Sequence, residues 1–508
     1  MKTYTTIKGE TLLYCGNPKL ELLDALADGP GDLWHSSLDY GFKNCFSELV
    51  YQTSVYWWFI NDFEGSGQAV NWRVDSKHFV VRATVWDALN GFDKSYSSEI
   101  MQGLDFGFSL LRHHGGIPMY IKGLFQVESI QVQISPIDRY LFFAKHFKSR
   151  HSYYMLFRQG IFKFPTEYQA FKRTKETKTY QGFTLPLRPL KALEGKPKVS
   201  LVIPTMKRQS YTEMLLQDYK NQTYPIFEAV IVDATPVEER DPSYYQPHNF
   251  NFAIKVAWQE SKGSCRARNE AIALCTGDYI IFADDDVRVL PDFVENHLKL
   301  LQTYQAKASN GLDIMAEHIH QDLSDLNFRL ESMGEKRWKV GASHMFSNAN
   351  SIVATSLVKK LIGNDVNFDG GYGEDTDFGL RILKAGEVLL FNPYAPNLHL
   401  KPPMGGYRFW GLQAGLLGKK RKPQPWELDK PVKWYRPVPS PTITYGILKH
   451  YTPKQVREWR KKHFFIYLSR SSLKTFLPRL FKLPFKQLQF SKSLSYAKRL
   501  LKLGERYS

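Results

Sequence analysis

Short apolar runs alternate with amphipathic stretches along the middle of the chain. Three runs have the length and composition of buried strands: VSLVIP at 199–204, FEAVIVD at 227–233 and DYIIF at 278–282. Helical spacing of apolar positions follows around 211–221, and again in CRARNEAIALC at 265–275, where one face holds Ala267, Ala271 and Leu274. This β-α-β-α order predicts an α/β fold with a doubly wound sheet whose strands are mainly parallel.

Polar residues follow each of these predicted strands. Thr205, Asp233 and the run Asp284–Asp286 stand where the apolar runs end. In open α/β sheets, ligands bind outside the carboxyl ends of the strands. We therefore expect these residues to line one crevice.

The three consecutive carboxylates Asp284–Asp286 repel one another and cannot enter the sheet. A positive partner is expected among them, either basic side chains or a bound cation. Adjacent carboxylates suit Mg²⁺ or Mn²⁺, which phosphate oxygens and water usually complete. An acidic turn or a helix cap before Pro291 is the alternative.

A second acidic group lies in GGYGEDTDFGLRILKAGE at 370–387. Glu374 and Asp375 precede a predicted helix whose apolar face includes Phe378, Ile382 and Leu383. Acids at a helix start are stabilised by the helix dipole, so capping is one explanation. The functional alternative is that Asp375 acts as a general base on an acceptor hydroxyl.

Four segments together resemble family 2 glycosyltransferases of the GT-A fold, over about 200 residues and in that family's order. They are VSLVIPTMKR, AVIVDAT, SKGSCRARNEAIALCTGDYIIFADDDVRVLPDFVE and GGYGEDTDFGLRILKAG. The resemblance implies a Rossmann-like, doubly wound mixed sheet. It also implies inverting transfer of a sugar from a nucleotide-sugar, expected to be a UDP-sugar, to a hydroxyl of a glycan or lipid-linked glycan.

The resemblance also assigns roles in donor binding. Pro204, Thr205 and Asp233 would hold the nucleotide base, and Gly263 and Arg268 would lie near the ribose and diphosphate. The remaining positions of the nucleotide-sugar site would be Arg208, Asp284 and Asp285. For Arg208, a solvated loop charge is the alternative.

The resemblance also assigns residues to metal binding and to catalysis. Asp284 and Asp286 would be the two acids of the DxD motif, with Asp284 toward the ribose and Asp286 on Mn²⁺ or Mg²⁺. His399 in NLHLKPPMGGYR fits a late metal ligand, although packing or a local hydrogen bond is an equal alternative. Asp375 would be the catalytic base, and Glu374 would orient the acceptor.

The segment NWRVDSKHFVVRATVWDALNGFDKSYSSEIMQGLDFGFSLLRHHGG at 71–116 echoes residues 347–387. Aligning DFG at 105–107 with DFG at 377–379 places Gln102 and Gly103 opposite the acidic pair. We therefore predict that residues 1–180 form a partial, non-catalytic GT-A-like module that resembles the acceptor-side half of the family. Chance similarity between two helices is the alternative.

The charge of the chain is concentrated at its end. The net charge is +18, and residues 446–508 contain 16 Lys and Arg against only Glu458 and Glu505, so +14 lies there. Aromatic and aliphatic residues interleave with these cations, which suits helices at an anionic membrane surface. Nucleic acid is a less favoured partner because no binding motif accompanies the charge. Packing of the tail on its own domain is the third option.

These patterns predict three regions: a module at 1–180, a glycosyltransferase domain at 197–405, and a basic aromatic region at 406–508. No apolar run reaches the roughly 18 residues of a spanning helix, and MKTYTTIKGE contains no secretory signal. We expect a cytoplasmic enzyme, peripheral at the inner membrane face. The alternatives are a non-catalytic scaffold that binds sugar or nucleotide, and a nucleic-acid-binding protein.

Overall fold

A computed structural model describes residues 1–52, 61–62, 67–400, 402, 404–407, 434–469 and 473–508. The chain forms two compact units. The first unit comprises Met1–Pro186, Leu383–Glu387 and Tyr451–Gln487. The second unit comprises Leu187–Ile382, Val388–His450 and Leu488–Ser508.

The first unit contains a six-stranded sheet with the order β1-β2-β5-β3-β6-β4. Its strands are β1 (Lys2–Thr5), β2 (Thr11–Cys15), β3 (Leu33–His35), β4 (Gln68–Val70), β5 (Phe79–Arg82) and β6 (Pro118–Ile121). Its first helices are α1 (Leu23–Asp28), α2 (Ala83–Ala88), α3 (Glu99–Ser109), α4 (Pro136–His146), α5 (Ser149–Gln159) and α6 (Phe164–Thr174). Strands β3 and β6 are parallel, and the other pairs are antiparallel.

The second unit contains a nine-stranded mixed sheet with the order β11-β15-β12-β14-β10-β7-β8-β9, and β13 pairs with β15. Its strands are β7 (Val199–Thr205), β8 (Glu228–Asp233), β9 (Ala253–Trp258), β10 (Tyr279–Phe282), β11 (Val287–Val289), β12 (Ala308–Met315), β13 (Gly341–Ala342), β14 (Ser351–Ala354) and β15 (Leu389–His399). Its helices are α7 (Gln209–Lys220), α8 (Ser264–Leu274), α9 (Phe293–Thr303), α10 (Leu323–Met333), α11 (Thr355–Lys360), α12 (Glu374–Lys384) and α13 (Pro441–His450).

The predicted α/β pattern is confirmed in the second unit. Strands β10, β7, β8 and β9 are parallel neighbours, and β7 and β8 are buried along their whole length. Continuous apolar runs are typical of strands covered on both faces. Helix α8 buries Ala267 and Ala271 as expected, but Leu274 is exposed because the helix ends there. The antiparallel strand β14 makes the sheet mixed.

The C-terminal residues belong to both units, which differs from a single region at 406–508. Residues 408–433 of that region lie outside the described residues. Helix α14 (Pro453–Ser469) lies in the first unit, and α15 (Leu473–Leu503) begins there and ends in the second. Ala497 and Leu500 are buried in the second unit's core with Tyr445, because apolar residues recur at helical spacing. None of the described helices combines the length and apolar character needed to cross a membrane.

The two units share a strand pattern. The order β2-β5-β3-β6-β4 in the first unit matches β10-β14-β12-β15-β13 in the second, with the same parallel and antiparallel pairs. Strand β5 and helix α2 begin and end 272 residues before β14 and α11. Asn90 and Gly91 have positive φ, as do Ile362 and Gly363 at the same spacing. The sequence echo therefore coincides with a structural correspondence.

Candidate functional site

The three carboxylates after β10 are held by two arginines. Arg208 Nη1 donates to Asp285 Oδ1 at 3.0 Å and to Asp286 Oδ2 at 2.7 Å, and Arg268 donates to Asp284. Asp285 and Asp286 are buried. The positive charge expected among the carboxylates is therefore supplied, at least in part, by basic side chains.

Thr205 and Arg208 reach the carboxylates from the neighbouring strand. Thr205 ends β7, which is paired with β10, and its Oγ1 donates to Asp285 Oδ2 at 2.7 Å. Arg208 Nε donates to the Met404 carbonyl at 2.9 Å. A Cβ on Gly405 would lie 2.6 Å from the Arg208 side chain, so this glycine permits the close approach. Arg208 is therefore a partly buried member of the acidic cluster.

His399 lies beside the same carboxylates because β15 pairs with β11, which starts directly after Asp286. His399 Nε2 is 3.2 Å from Asp286 Oδ1, and its Nδ1 is 3.4 Å from Asp313 Oδ2. One ligand atom each from Asp284, Asp286 and His399 lie within 4.8 Å of one another. Two carboxylates and an imidazole at this spacing can hold a divalent cation.

The electrostatics of this group follow from burial and close charges. Burial raises the pKa of Asp285 above its ordinary range, although Arg208 opposes the shift. Burial disfavours the charge on Asp286, but the hydrogen bond to His399 and the charge of Arg208 outweigh it and lower the pKa of Asp286. Burial likewise opposes the imidazolium of His399, yet Asp286 and Asp313 raise the pKa of His399 well above its usual value. Asp313 was not anticipated from the sequence.

The residues expected to hold the nucleotide base lie at the ends of β7 and β8. Thr205 and Asp233 are direct neighbours across these strands, with Pro204 one position earlier. Asp233 is fully buried, and it accepts hydrogen bonds from Tyr245 OH at 2.9 Å and from the Thr235 amide at 2.8 Å. The sequence reasoning did not find Tyr245, which has no motif around it. The roles of Pro204, Thr205 and Asp233 in base binding stay predictions.

Gly263 precedes the first turn of α8 and lies against a carboxylate. A Cβ on Gly263 would stand 2.2 Å from Asp369 Oδ2, which explains the glycine at this position. Asp369 Oδ1 accepts a hydrogen bond from the Cys265 amide at 2.6 Å. Desolvation raises the pKa of Asp369 to about 6. Asp369 is thus an additional acidic group near the helix start, and the turn NFDGG is its only sequence signal.

Glu374 and Asp375 occupy the first turn of α12, as predicted. The helix is fixed by the buried side chains of Phe378, Ile382 and Leu383. Asp375 accepts hydrogen bonds from the main-chain amide of Asn348 at 3.3 Å and from its side-chain amide. Asn348 is buried and was missed from the sequence, because a single asparagine before β14 carries no distinctive pattern.

Arg268 connects the two acidic groups. It is buried on α8 and donates to Asp284, while Asp375 and Glu374 also act on its charge. Burial opposes that charge, but the carboxylates, Asp284 foremost, keep the pKa of Arg268 above its ordinary value. The charge of Arg268 therefore interacts both with an acid after β10 and with the acids at the start of α12.

Comparison with known proteins agrees with this arrangement. Residues 200–352 match the model of glycosyl transferase family 2. The chain is 23% identical over 242 residues to a dolichyl N-acetyl-alpha-D-glucosaminyl phosphate 3-beta-D-2,3-diacetamido-2,3-dideoxy-beta-D-glucuronosyltransferase from Methanococcus voltae, covering 44% of this chain and 74% of that protein. It is 27% identical over 124 residues to the putative teichuronic acid biosynthesis glycosyltransferase TuaG of Bacillus subtilis, covering 24% of this chain and about half (49%) of that protein.

Among solved structures, S. aureus TarS 1–349 in complex with UDP-GlcNAc has a TM-score of 0.37 and 14% identity, over 61% of this chain and 93% of that one. The family assignment rests on the sequence matches and on the mixed sheet with acids at its strand ends. The second unit therefore contains a region, residues 200–352, that matches glycosyl transferase family 2 and is similar in sequence to known glycosyltransferases.

Proposed function

We propose that the second unit transfers a sugar from a nucleotide-sugar, in the first instance a UDP-sugar, to a hydroxyl of a glycan or lipid-linked glycan. Transfer proceeds with inversion and depends on Mn²⁺ or Mg²⁺. The observation that carries this proposal is the ligand set Asp284, Asp286 and His399, together with Asp375, whose charge acts on the same buried Arg268.

The donor set fits a divalent cation. Two carboxylates and one imidazole nitrogen are hard or borderline ligands, and three protein ligands leave positions for diphosphate oxygens. When bound, the ion would neutralise charge on the departing nucleoside diphosphate. Arg208 already donates to Asp286 Oδ2, so the carboxylate is held in place from one side. Arg268 holds Asp284 in the same way.

Asp375 is placed to act as the base. Asn348 holds its carboxylate through two donors, and the start of α12 favours a negative side chain. Asp375 takes the proton of the acceptor hydroxyl as that oxygen bonds to the anomeric carbon. The bond from this carbon to the diphosphate breaks at the same time, which gives inversion. Glu374, buried beside Asp375, orients the acceptor.

Donor recognition falls to the ends of β7 and β8 and to the start of α8. Thr205 and Asp233 lie side by side there, so they can contact one nucleotide base with Pro204. Gly263 directly precedes α8, where the main-chain amides of the first turn favour phosphate. The acceptor class is drawn from the relatives, since one is named for teichuronic acid biosynthesis and another for amylovoran biosynthesis.

A donor screen tests the proposal. The purified chain is incubated with UDP- and GDP-sugars and Mn²⁺, and release of nucleoside diphosphate is followed with and without candidate glycan acceptors. We expect one donor class to react, EDTA to stop the reaction, and Mn²⁺ or Mg²⁺ to restore it. Full activity in EDTA would contradict the metal assignment. Tight nucleotide binding without turnover on any donor would favour a binding scaffold instead.

A further inference from the structure

The first half of α15 has an unusual surface. Within the first unit this half carries five exposed apolar side chains: Phe476, Leu477, Leu480, Phe481 and Phe485. Phe481 is 82% exposed. The second half of the same helix buries Phe490, Ala497 and Leu500 at helical spacing. The second half also exposes Leu488, Leu501 and Leu503, but the exposed Phe side chains of this helix all lie in the half that belongs to the first unit.

A second group of exposed apolar side chains lies between α5 and α6 of the first unit. It consists of Phe157, Ile161, Phe162, Phe164 and Tyr168. Phe162 is 98% exposed, at the turn that joins the two helices. Soluble monomers seldom concentrate large apolar residues on their surface without a function.

Helix α14 connects these two groups. The Phe465 ring stacks on the Phe157 ring with centroids 6.0 Å apart. The centroid of the Tyr154 ring lies 4.8 Å from that of the Phe465 ring. On the other side, Arg479 of α15 donates to the Tyr467 carbonyl at 2.8 Å. Helix α14 therefore contacts both α5 and α15, and we call the exposed residues within 157–168 and 476–486 together the basic aromatic face.

The charge around this face is strongly positive and unbalanced. Residues 451–487 contain ten Lys and Arg and one acid, Glu458, and residues 148–178 contain eight against two. Glu458 is already bound by Tyr154 and Arg158, and Glu167 by Arg139. Cations therefore outnumber acids in both segments. Most of the chain's net charge of +18 lies in these two segments, which contain the basic aromatic face.

We propose that the basic aromatic face docks the first unit on an anionic lipid bilayer. Aromatic side chains are stable at the level of the lipid headgroups, and basic residues are attracted to the negative surface potential. Apolar side chains as exposed as Ile161, Phe162 and Phe481 gain nothing from nucleic-acid phosphates but are buried when they enter the interface. The proposal concerns a surface of the first unit and does not depend on the transfer reaction of the second.

Vesicle flotation with the full-length chain tests this docking. Binding to vesicles of neutral phosphatidylcholine is compared with binding to vesicles containing phosphatidylglycerol, at low and high salt. We expect binding to the anionic vesicles alone, weakened by salt. The double variants Phe481→Ser with Phe485→Ser, and Lys482→Glu with Lys486→Glu, should each partition at least about tenfold more weakly.

Matched controls lie in the second unit. Phe328→Ser removes an equally exposed aromatic ring from α10, and Lys359→Glu with Lys360→Glu reverses two exposed charges on α11. These variants should bind vesicles like the unmodified chain. Equal loss in both sets would overturn the proposal, as would unchanged binding in all of them.

Two other outcomes would also overturn it. The unmodified chain could sediment as a dimer that the face variants convert to monomers, with vesicle binding absent throughout. The face would then be an interface between copies. Alternatively, a duplex oligonucleotide could bind more tightly than anionic vesicles and lose affinity in the same variants, and the partner would then be a nucleic acid.

Discussion

The first unit and the matching half of the second unit keep the same buried polar groups. Asp105 on α3 accepts a hydrogen bond from His146 Nε2 at 2.7 Å, and Asp377 on α12 accepts one from His450 Nε2 at 2.8 Å. Both aspartates are the first residue of an Asp-Phe-Gly sequence. Both histidines are the last residue of a helix that begins at the proline of a Ser-Pro sequence. The pair is therefore repeated in position as well as in chemistry.

A second pair is also repeated. Lys145 is bonded to Asp93, and Lys449 lies 3.1 Å from Asp365. In each unit the lysine directly precedes the histidine of the first pair, and the two aspartates are 12 residues apart. Asp93 is partly exposed, whereas the other three aspartates are buried, where loss of one partner would leave the other unsatisfied.

The groups assigned to catalysis are not repeated. Gln102 and Gly103 stand at the positions of Glu374 and Asp375. Strand β2 pairs with β5 in the same register as β10 pairs with β14. By this correspondence, Asn17, Pro18 and Lys19 of the first unit are equivalent to Asp284, Asp285 and Asp286 of the second. A lysine thus occupies the position of Asp286. The first unit also has the antiparallel strand β1 where the second has the parallel set β7, β8 and β9.

The comparison therefore distinguishes two kinds of carboxylate: those that both units keep, such as Asp105 and Asp377, and those that only the second unit has and that we propose to be functional, such as Asp286 and Asp375. Buried pairs stabilise the fold, so both units retain them. Adjacent carboxylates in a crevice repel one another and persist where a ligand or cation requires them. This contrast supports the proposal that the first unit is a partial, non-catalytic module. Five substitutions, with their matched controls, test this comparison.

The largest effect is expected at Asp286. Asp286→Asn removes one anionic ligand from the proposed metal site, so transfer should fall at least about a thousandfold, since such an ion contributes several kcal/mol to the reaction. Nucleoside diphosphate release measures the loss, and thermal melting checks that the variant is folded. The matched change Lys19→Ala in the first unit should leave transfer unchanged. A comparable loss from Lys19→Ala would remove the distinction between the units.

The second largest effect is expected from Asp375→Asn. Asparagine caps a helix about as well as aspartate, so stability should change little, while turnover should fall by about 10²–10⁴ because the base is lost. Binding of nucleotide with Mn²⁺, measured by calorimetry, should survive. Gln102→Ala, beside the corresponding position, should leave turnover intact. If Asp375→Asn unfolds the protein while activity per folded molecule is unchanged, Asp375 is a cap and has no catalytic role.

The repeated aspartates should affect stability. Asp377→Asn leaves Lys449, Arg381 and His450 without their shared carboxylate, and we expect a loss of about 3–5 kcal/mol in urea unfolding. Asp105→Asn should cost less, about 1–3 kcal/mol, because its partners are His146 and the Tyr96 hydroxyl, with no Lys or Arg bonded to it. Equal turnover per folded molecule in both variants would confirm that the pairs are structural, and unchanged unfolding in either would contradict it.

The Asp377 pair also predicts a pH dependence. Burial opposes the charge of Asp377, but His450, Arg381 and Lys449 outweigh it and hold its pKa far below the ordinary value. The unfolded chain therefore binds the proton more readily than the folded one. The stabilisation is complete above the ordinary carboxyl pKa of about 4 and is lost as the pH falls below it. Asp377→Asn should flatten this acid limb of the unfolding curve.

The smallest effect is expected at Gly103. A Cβ there would lie 2.6 Å from the Val74 carbonyl oxygen and 2.7 Å from the Ser76 amide, so Gly103→Ala should destabilise the first unit by about 1–3 kcal/mol. Asp375→Asn, at the corresponding position of the second unit, should change stability little, because asparagine can still cap the helix. Melting curves of both variants make the comparison. A Gly103→Ala variant as stable as the unmodified chain would show that the close approach is not what excludes an acid there.

Much of the second unit could be predicted from local sequence. Strands β7, β8 and β10 and helices α8 and α12 were anticipated because each is encoded by apolar spacing and by the polar residue that ends it. The candidate residues Thr205, Arg208, Asp286 and His399 were named from the sequence, and the structure brings them together. In the first unit the alignment of the two DFG sequences agrees with strands and helices at constant spacing.

Only the tertiary structure assigned partners across long separations in the chain. Asp313 beside His399, Asn348 beside Asp375 and Asp369 beside Gly263 come from different elements, and no local pattern links them. The tertiary structure also decided that Phe490 of α15 is buried while Phe481 of the same helix stays exposed, although both stand in basic, apolar surroundings in the sequence. The sequence determined which segments form helices and strands, since that depends on neighbours a few residues away. Contacts between distant segments decided which charges are paired and which surfaces stay exposed.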